Sequence, residues 1–296
     1  MDYKEATQET NGVLLTGVRN FGLVETLDNG STFRWSVRSN KAAGVVNGKI
    51  IILKYLDETT LYIHNITLEE FYDFYENYFD LKTEYQPIID ELRMKNKPLE
   101  NLIPAESKLR LVRQDYVESI ITAMISQNNN IKRIKGIVDN LCNRYGKLIY
   151  VGKRRVYAFP TLDELQNLTV DDFKRIGCGY RSEGLYLICK RMKVLTDAYG
   201  SLEAYFDKMT YDCLERTLIC EKQIGPKVAS FIVTMTGSCK NFNKSFVIDT
   251  WISTAMKNLF NVYADKSPQF SKWLDEHFGD NCAIAQQNIF YYYRNK

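Results

Sequence analysis

The hydrophobic period of this chain changes near Thr67, and that change limits what it can fold into. Before it, apolar residues come in short alternating runs over 23–27, 32–37, 45–46, 50–53 and 61–63. A period of two belongs to half-buried strands. Asp28-Asn29-Gly30 separates the first two runs and Asn47-Gly48 joins the next pair, a dipeptide suited to the left-handed residues of a two-residue hairpin. After it the period becomes helical. Thr67-Leu68-Glu69-Glu70 spells a capping box that opens an aromatic-rich helix over 71–79, and Asp115 opens another. Beyond Asp115 the pattern predicts helices over 117–126, 131–145, 161–168, 170–176, 182–199, 211–220, 226–236, 250–259 and 283–293. The chain therefore reads as α+β: an N-terminal antiparallel β-sheet domain with flanking helices over 18–110, then an all-helical domain over 111–296. Residues 1–17 read as a loose leader, and the last helix is free to pack back on the N-terminal domain.

Composition narrows the chemistry. Seven cysteines, widely spread and without a Cys-x-x-Cys pair, argue against a disulfide framework, a zinc site or an iron–sulfur cluster. With only His64 and His277, histidine triads and His-rich metal centres have no material, so catalysis would lean on Lys, Asp, Glu or Tyr. No window carries the apolar run of a signal peptide or membrane span, which predicts a cytoplasmic or nucleoid protein, or a nuclear one in a eukaryote. Charge is uneven. Residues 130–193 hold 14 Lys and Arg against 6 Asp and Glu, a net of +8, which leaves −5 for the remainder of a chain whose total is +3. A basic segment on an otherwise acidic protein points to an anionic partner such as a phosphate backbone.

The stretch Gln223-Ile224-Gly225-Pro226-Lys227 places a glycine turn before a helix beginning at Pro226, with a second helix starting just after Asp249. A helix start following a short interhelical turn can bind phosphate or a cation. Lys227 falls in the first turn, where the helix dipole opposes its charge. A lysine so placed and partly desolvated has its neutral amine favoured, as a Schiff-base nucleophile requires. Most lysines are solvated surface residues, so this reading depends on its context.

That context resembles the helix-hairpin-helix DNA glycosylase superfamily, and within it the 8-oxoguanine DNA glycosylase/lyases. Gly30-Ser31-Thr32-Phe33-Arg34-Trp35 resembles the family's Gly-Gln-Ser-Phe-Arg-Trp, and Leu111-Val112-Arg113-Gln114-Asp115 its Leu-Leu-Arg-Gln-Asp. Ser126-Gln127-Asn128-Asn129-Asn130-Ile131 resembles its Ser-Ser-Asn-Asn-Asn-Ile, and Gly177-Cys178-Gly179-Tyr180-Arg181 its Gly-Leu-Gly-Tyr-Arg. The hairpin with Lys227, followed by Val247-Ile248-Asp249, completes five matches in order.

The resemblance implies duplex DNA containing 8-oxoguanine as partner, a monomeric enzyme and no cofactor, with a structural cation on hairpin carbonyls allowed. It implies Lys227 as nucleophile and Asp249 as electrostatic partner. Gly30, Phe231, Gln286 and Phe290 would form the damaged-base pocket. Asn128, Arg133, Tyr180 and Arg181 would wedge the helix and read the opposite base, and Gly225 and Trp251 would meet phosphate. Taken alone, Gly30 is also an ordinary turn glycine, and Phe290 an ordinary core residue. The chain departs from the pattern in three places. Glu221-Lys222-Gln223 stands for Leu-Pro-Gly, Trp251 for a histidine, and Phe231 for a cysteine. Two other readings remain open at this point: an alkylated-base glycosylase, which has no nucleophilic lysine, and a non-catalytic DNA-binding module.

Overall fold

The computed structural model describes residues 1–151 and 154–296. Six strands, β1 (Glu5–Glu9), β2 (Gly12–Thr16), β3 (Trp35–Arg38), β4 (Lys41–Val46), β5 (Lys49–Tyr55) and β6 (Leu61–His64), form an antiparallel sheet in the order β1-β2-β6-β5-β4-β3. Val46 pairs with Lys49 across Asn47-Gly48, whose φ angles are 49° and 68°. Two left-handed residues match the twist of the flanking strands, so the hairpin predicted at this dipeptide forms. One face of the sheet is dry: Val13, Leu15, Ile51, Leu53, Leu61 and Ile63 are fully buried. They pack against Phe71, Tyr75 and Phe79 of the helical segment that the Thr67 capping box opens. In that box Thr67 Oγ1 accepts from the Glu70 amide at 3.1 Å, and the Glu70 carboxylate accepts from the Thr67 amide at 3.0 Å.

Several expectations are corrected. The leader predicted over 1–17 is not loose, since it supplies β1 and β2, and β2 lies between β1 and β6. Its composition is polar because β1 is an edge strand with neither face fully covered. Residues Leu23–Leu27 form a helix rather than a strand, with Leu23, Thr26 and Leu27 buried on one side and Val24 exposed. Five residues are too few for periodicity to separate the two. The strand expected over 32–37 begins only at Trp35. Ahead of it, Asn29 Oδ1 accepts from the Ser31 amide and hydroxyl at 2.9 and 2.7 Å, and Thr32 Oγ1 donates to Leu27 O at 2.6 Å. These side chains give the backbone an alternative to ladder pairing. In the half predicted as helical throughout, Leu148–Val151 and Arg154–Tyr157 pair as antiparallel strands.

The buried apolar side chains gather in three hydrophobic cores. One lies under the sheet. A second joins the helices from Tyr116 to Met235, including both hairpin helices. The third joins the helices Tyr85–Lys95 and Lys97–Leu102 to residues 246–289, so segments more than a hundred residues apart share it. The last helix, Cys282–Arg294, packs on Thr250–Phe260 and also on Lys97–Leu102, which lies within residues 18–110, so it does fold back on a helix flanking the sheet. A single extended segment joins the three: Leu111 enters the third core, Val112 the first and Tyr116 the second. At its head, the fully buried Arg110 donates to Asp2 Oδ2 at 2.6 Å, to Phe79 O at 3.2 Å, to Thr83 O at 2.8 Å and to Asp80 O. Its guanidinium also lies 4.0 Å from the centre of the Tyr85 ring.

Removing one partner of a buried, hydrogen-bonded ion pair strands the other. Arg110→Leu is expected to lower stability by about 3–5 kcal/mol in urea unfolding. A second expectation concerns Glu118, half-buried beside Arg34. Burial pushes its carboxyl up to about 7, with Arg34 opposing and Asp115 reinforcing the shift. The folded state therefore binds this proton more tightly than the unfolded one does. The cost of ionising Glu118 is absent below its unfolded value of 4.5, grows as pH rises, and is complete above about 7. Thermal midpoints of Glu118→Gln and wild type should coincide near pH 4.5, with the variant higher at pH 8.

Candidate active site

The helices Tyr211–Ile219 and Pro226–Thr236 make the hairpin. Thr210 caps the first through its side chain, but Gly225 caps the second with none, and Pro226 occupies the first turn. The amides at this helix start are left for an external acceptor, and a Cβ built on the exposed Gly225 would meet nothing within 4 Å. Gln223, where the family has glycine, takes φ 65°. The turn geometry is thereby preserved despite the substitution.

Lys227 is exposed. The desolvation expected for it from sequence is therefore not present in the free protein. Among the described residues it forms no ion pair, while on the hairpin Glu215 is taken by Lys266 at 2.7 Å. Asp249 is half-buried at the N-cap of the helix Thr250–Phe260, where its carboxylate accepts from the Ile252 amide at 2.8 Å. That bond fixes one carboxylate oxygen and the direction of the group.

Lys227 and Asp249 border one cavity of about 120 Å³ with Gly30, Phe231, Gln286 and Phe290, so all six residues expected at the catalytic centre and base pocket come together. Gln286 is 3% exposed, and its Oε1 is buried without a hydrogen-bond partner. Buried polar atoms are nearly always paired, so an orphan on a residue that lines a cavity is a candidate ligand contact. Gly30 has φ 94°, and its loop is tied to the rest of the fold because Gln114 Nε2 donates to Ser31 O at 3.0 Å. Gln287 and Phe33 also line the cavity. Nothing in the sequence pattern marks Gln287, because 287 falls outside the 286/290 stripe that one helix face would present. Phe33 belongs to the Gly30–Trp35 motif, which does not by itself single it out.

A groove of about 330 Å³ runs from Lys227 and Gly225 to Asn128 and Tyr180. Asn128 is exposed with φ 44°, Arg133 is exposed in the first turn of its helix, and Tyr180 is 59% exposed. Arg181 does not join them. It is 2% exposed, donating to Gln127 O at 2.9 Å, Asn128 O at 3.1 Å and Cys178 O at 3.2 Å. Its guanidinium is spent on carbonyls of the wedge turns, so in this structure it positions Asn128 rather than facing a base. Trp251, 48% exposed on the first turn after Asp249, lies outside the cavity lining.

A larger cleft of about 1100 Å³ sits against the sheet domain near Phe21 and Tyr55, with none of these residues in its wall. Among the described residues no cluster of three His, Cys, Asp or Glu side chains could hold a metal, so a cation at the hairpin would have to use backbone carbonyls. No helix among the described residues is long and apolar enough to cross a membrane.

Residues 13–120 match the N-terminal domain of 8-oxoguanine DNA glycosylases, and residues 121–274 match the HhH-GPD superfamily of base excision DNA repair proteins. A solved 8-oxoguanine glycosylase/lyase of Clostridium acetobutylicum, in complex with double-stranded DNA containing cytosine opposite 8-oxoguanine, superposes with a TM-score of 0.89 at 29% identity. That superposition covers 100% of this chain and 99% of the other. An N-glycosylase/DNA lyase of Saccharomyces cerevisiae is 25% identical over 64% of this chain and 52% of its own length. One of Arabidopsis thaliana is 28% identical over 42% of this chain and 34% of its own. The matched stretch thus spans about half or less of these curated relatives. A β-sheet domain of the 8-oxoguanine glycosylase type, joined to a hairpin-bearing helical domain matched over more than half of the chain, places the protein in the HhH-GPD superfamily of base excision DNA repair proteins.

Proposed function

We propose that the protein is a bifunctional DNA glycosylase that removes 8-oxoguanine from duplex DNA and then cleaves the strand as an abasic-site lyase. The observation that carries this reading is the single cavity shared by a free lysine, a fixed carboxylate, two aromatic side chains and the unpartnered Gln286 carboxamide. An alkylated-base glycosylase has no use for the lysine. A purely DNA-gripping module has no use for a buried, unpartnered carboxamide in the wall of a cavity that also holds a lysine and a carboxylate.

Excision requires the nucleotide to leave the stack, at a cost of a few kcal/mol. The exposed Tyr180 and Asn128 are placed to fill the gap, and Arg133 to meet the widowed base, while Gly225 and Trp251 face the strand at two helix starts. Phe231 and Phe290 supply stacking faces, Gln286 pairs with the base edge, and the Gly30 carbonyl accepts the N7 proton that 8-oxoguanine has and guanine lacks. One mismatched donor or acceptor in a dry pocket discriminates strongly. The half-buried Phe231 and Phe290 border this cavity and would contact the base on either side.

The entering nucleotide also covers Lys227, which supplies the desolvation that the free protein lacks. Its neutral amine then forms a bond to the sugar anomeric carbon as the bond to the base breaks and its electrons leave with the base. Opening of the sugar ring gives the imine. Loss of a C2′ proton then expels the 3′ phosphate, and water releases the lysine. Asp249 stabilises the positive charge that develops on the sugar and is placed to relay protons. The enzyme acts as a monomer on chromosomal DNA, in nucleoid or nucleus.

Lys227→Gln should abolish both excision and borohydride trapping; a variant that still traps fully would overturn the assignment. Asp249→Asn keeps a competent helix cap and should slow excision by ~10²–10³-fold. Gln286→Ala should lower 8-oxoguanine excision by about tenfold while leaving cleavage of a preformed abasic site intact, because no base is present to be held.

A further inference from the structure

Glu221-Lys222-Gln223, the turn that stands where the family has Leu-Pro-Gly, reaches one neighbour with all three side chains. Glu221 Oε1 accepts from Arg191 Nε at 3.1 Å, Lys222 Nζ meets Glu183 Oε1 at 2.5 Å, and Gln223 Nε2 donates to Tyr180 O at 3.1 Å. Glu183 and Arg191 lie on the helix Ser182–Tyr199, and Tyr180 in the short turn Gly179–Arg181 that leads into it. Leucine, proline and glycine could make none of these side-chain bonds.

Gln223 incurs two costs in this position. Its φ of 65° lies in the left-handed region, which is unfavourable for a residue with a Cβ. Its Oε1 is also buried without a partner, facing Gly184, where a Cβ would stand 2.3 Å away. Strain of this kind persists where the surroundings over-determine it. Here they do, because the neighbouring glycine leaves room for the carboxamide and the wedge carbonyl binds it. The groove joining Tyr180 to Lys227 is bounded by the two elements that these bonds hold together.

We propose that Glu221, Lys222 and Gln223 form a latch that fixes the wedge residue Tyr180 relative to the hairpin bearing Lys227, and that Gln223 is its positioning residue. This rests on the function proposed above. The latch acts on flipping, which needs wedge and nucleophile in register, and not on bond-breaking by Lys227.

The test uses Gln223→Gly and the triple variant Glu221→Leu, Lys222→Pro, Gln223→Gly, which restores the family turn and so keeps the fold. Both should show faster amide exchange over residues 177–184, with thermal midpoints equal to or above wild type. Single-turnover excision of 8-oxoguanine from duplex DNA should fall about fivefold, on the scale of one lost hydrogen bond. Cleavage of single-stranded abasic DNA, which requires no flipping, should be unchanged. Unaltered exchange, unaltered duplex excision, or an equal loss on both substrates would overturn the latch. A wild-type enzyme inert on 8-oxoguanine duplexes would instead sink the functional reading, with amide exchange still deciding whether the latch exists.

Discussion

Three hydrophobic cores meet along one short extended segment, and the geometry of the site depends on it. Within six residues the chain feeds Leu111, Val112 and Tyr116 into different cores, so none can shift without moving the others. Polar bonds hold the segment in place. Arg110 gathers Asp2 and the carbonyls that end the sheet domain, Arg113 joins Asp80 to Gly237 O at 2.7 and 2.9 Å, and Gln114 holds the loop that carries Gly30. The Gln114 backbone amide donates to Met235 O, near the far end of the helix Pro226–Thr236 that carries Lys227 in its first turn. One residue thus ties the Gly30 loop to the Lys227 helix. Packed interiors transmit such constraints because they have little free volume.

The same economy governs the groups around the cavity. Asp249 is held by a helix cap, Gly30 by its loop, and Gln286 by a helix buried in the third core, whereas Lys227 is free and exposed. Fixed elements carry Asp249, Gly30 and Gln286, and Lys227 is the exposed group among the four. In the proposed mechanism the bound nucleotide, rather than the free protein, supplies the desolvation of Lys227. This removes a difficulty in reading Lys227 from sequence, where desolvation had to be assumed.

Local features were legible in the sequence and long-range ones were not. The Asn47-Gly48 hairpin, the Thr67 capping box, the hairpin helices and the Asp249 cap each depend on a few adjacent residues, and each appears in the structure. The leader looked loose because β1 is a polar edge strand, and its anchor, Arg110, lies 108 residues from Asp2. Core membership was not legible, because residues 85–103 find their core partners beyond 246, a pairing that periodicity does not encode. Of the site residues carried over by resemblance, the six of the cavity converge, but Arg181 is spent on backbone carbonyls. Gln287 passed unnoticed because its polarity hid a buried position.

The account makes Lys227 the atom donor for a covalent link to DNA, and one experiment addresses that directly. Wild-type protein is reacted with an 8-oxoguanine duplex under borohydride, the adduct is digested, and the modified peptide is sequenced by mass spectrometry. The account predicts a single reduced-sugar adduct on Lys227. An adduct on another lysine, or excision of the base with no adduct at all, would contradict it.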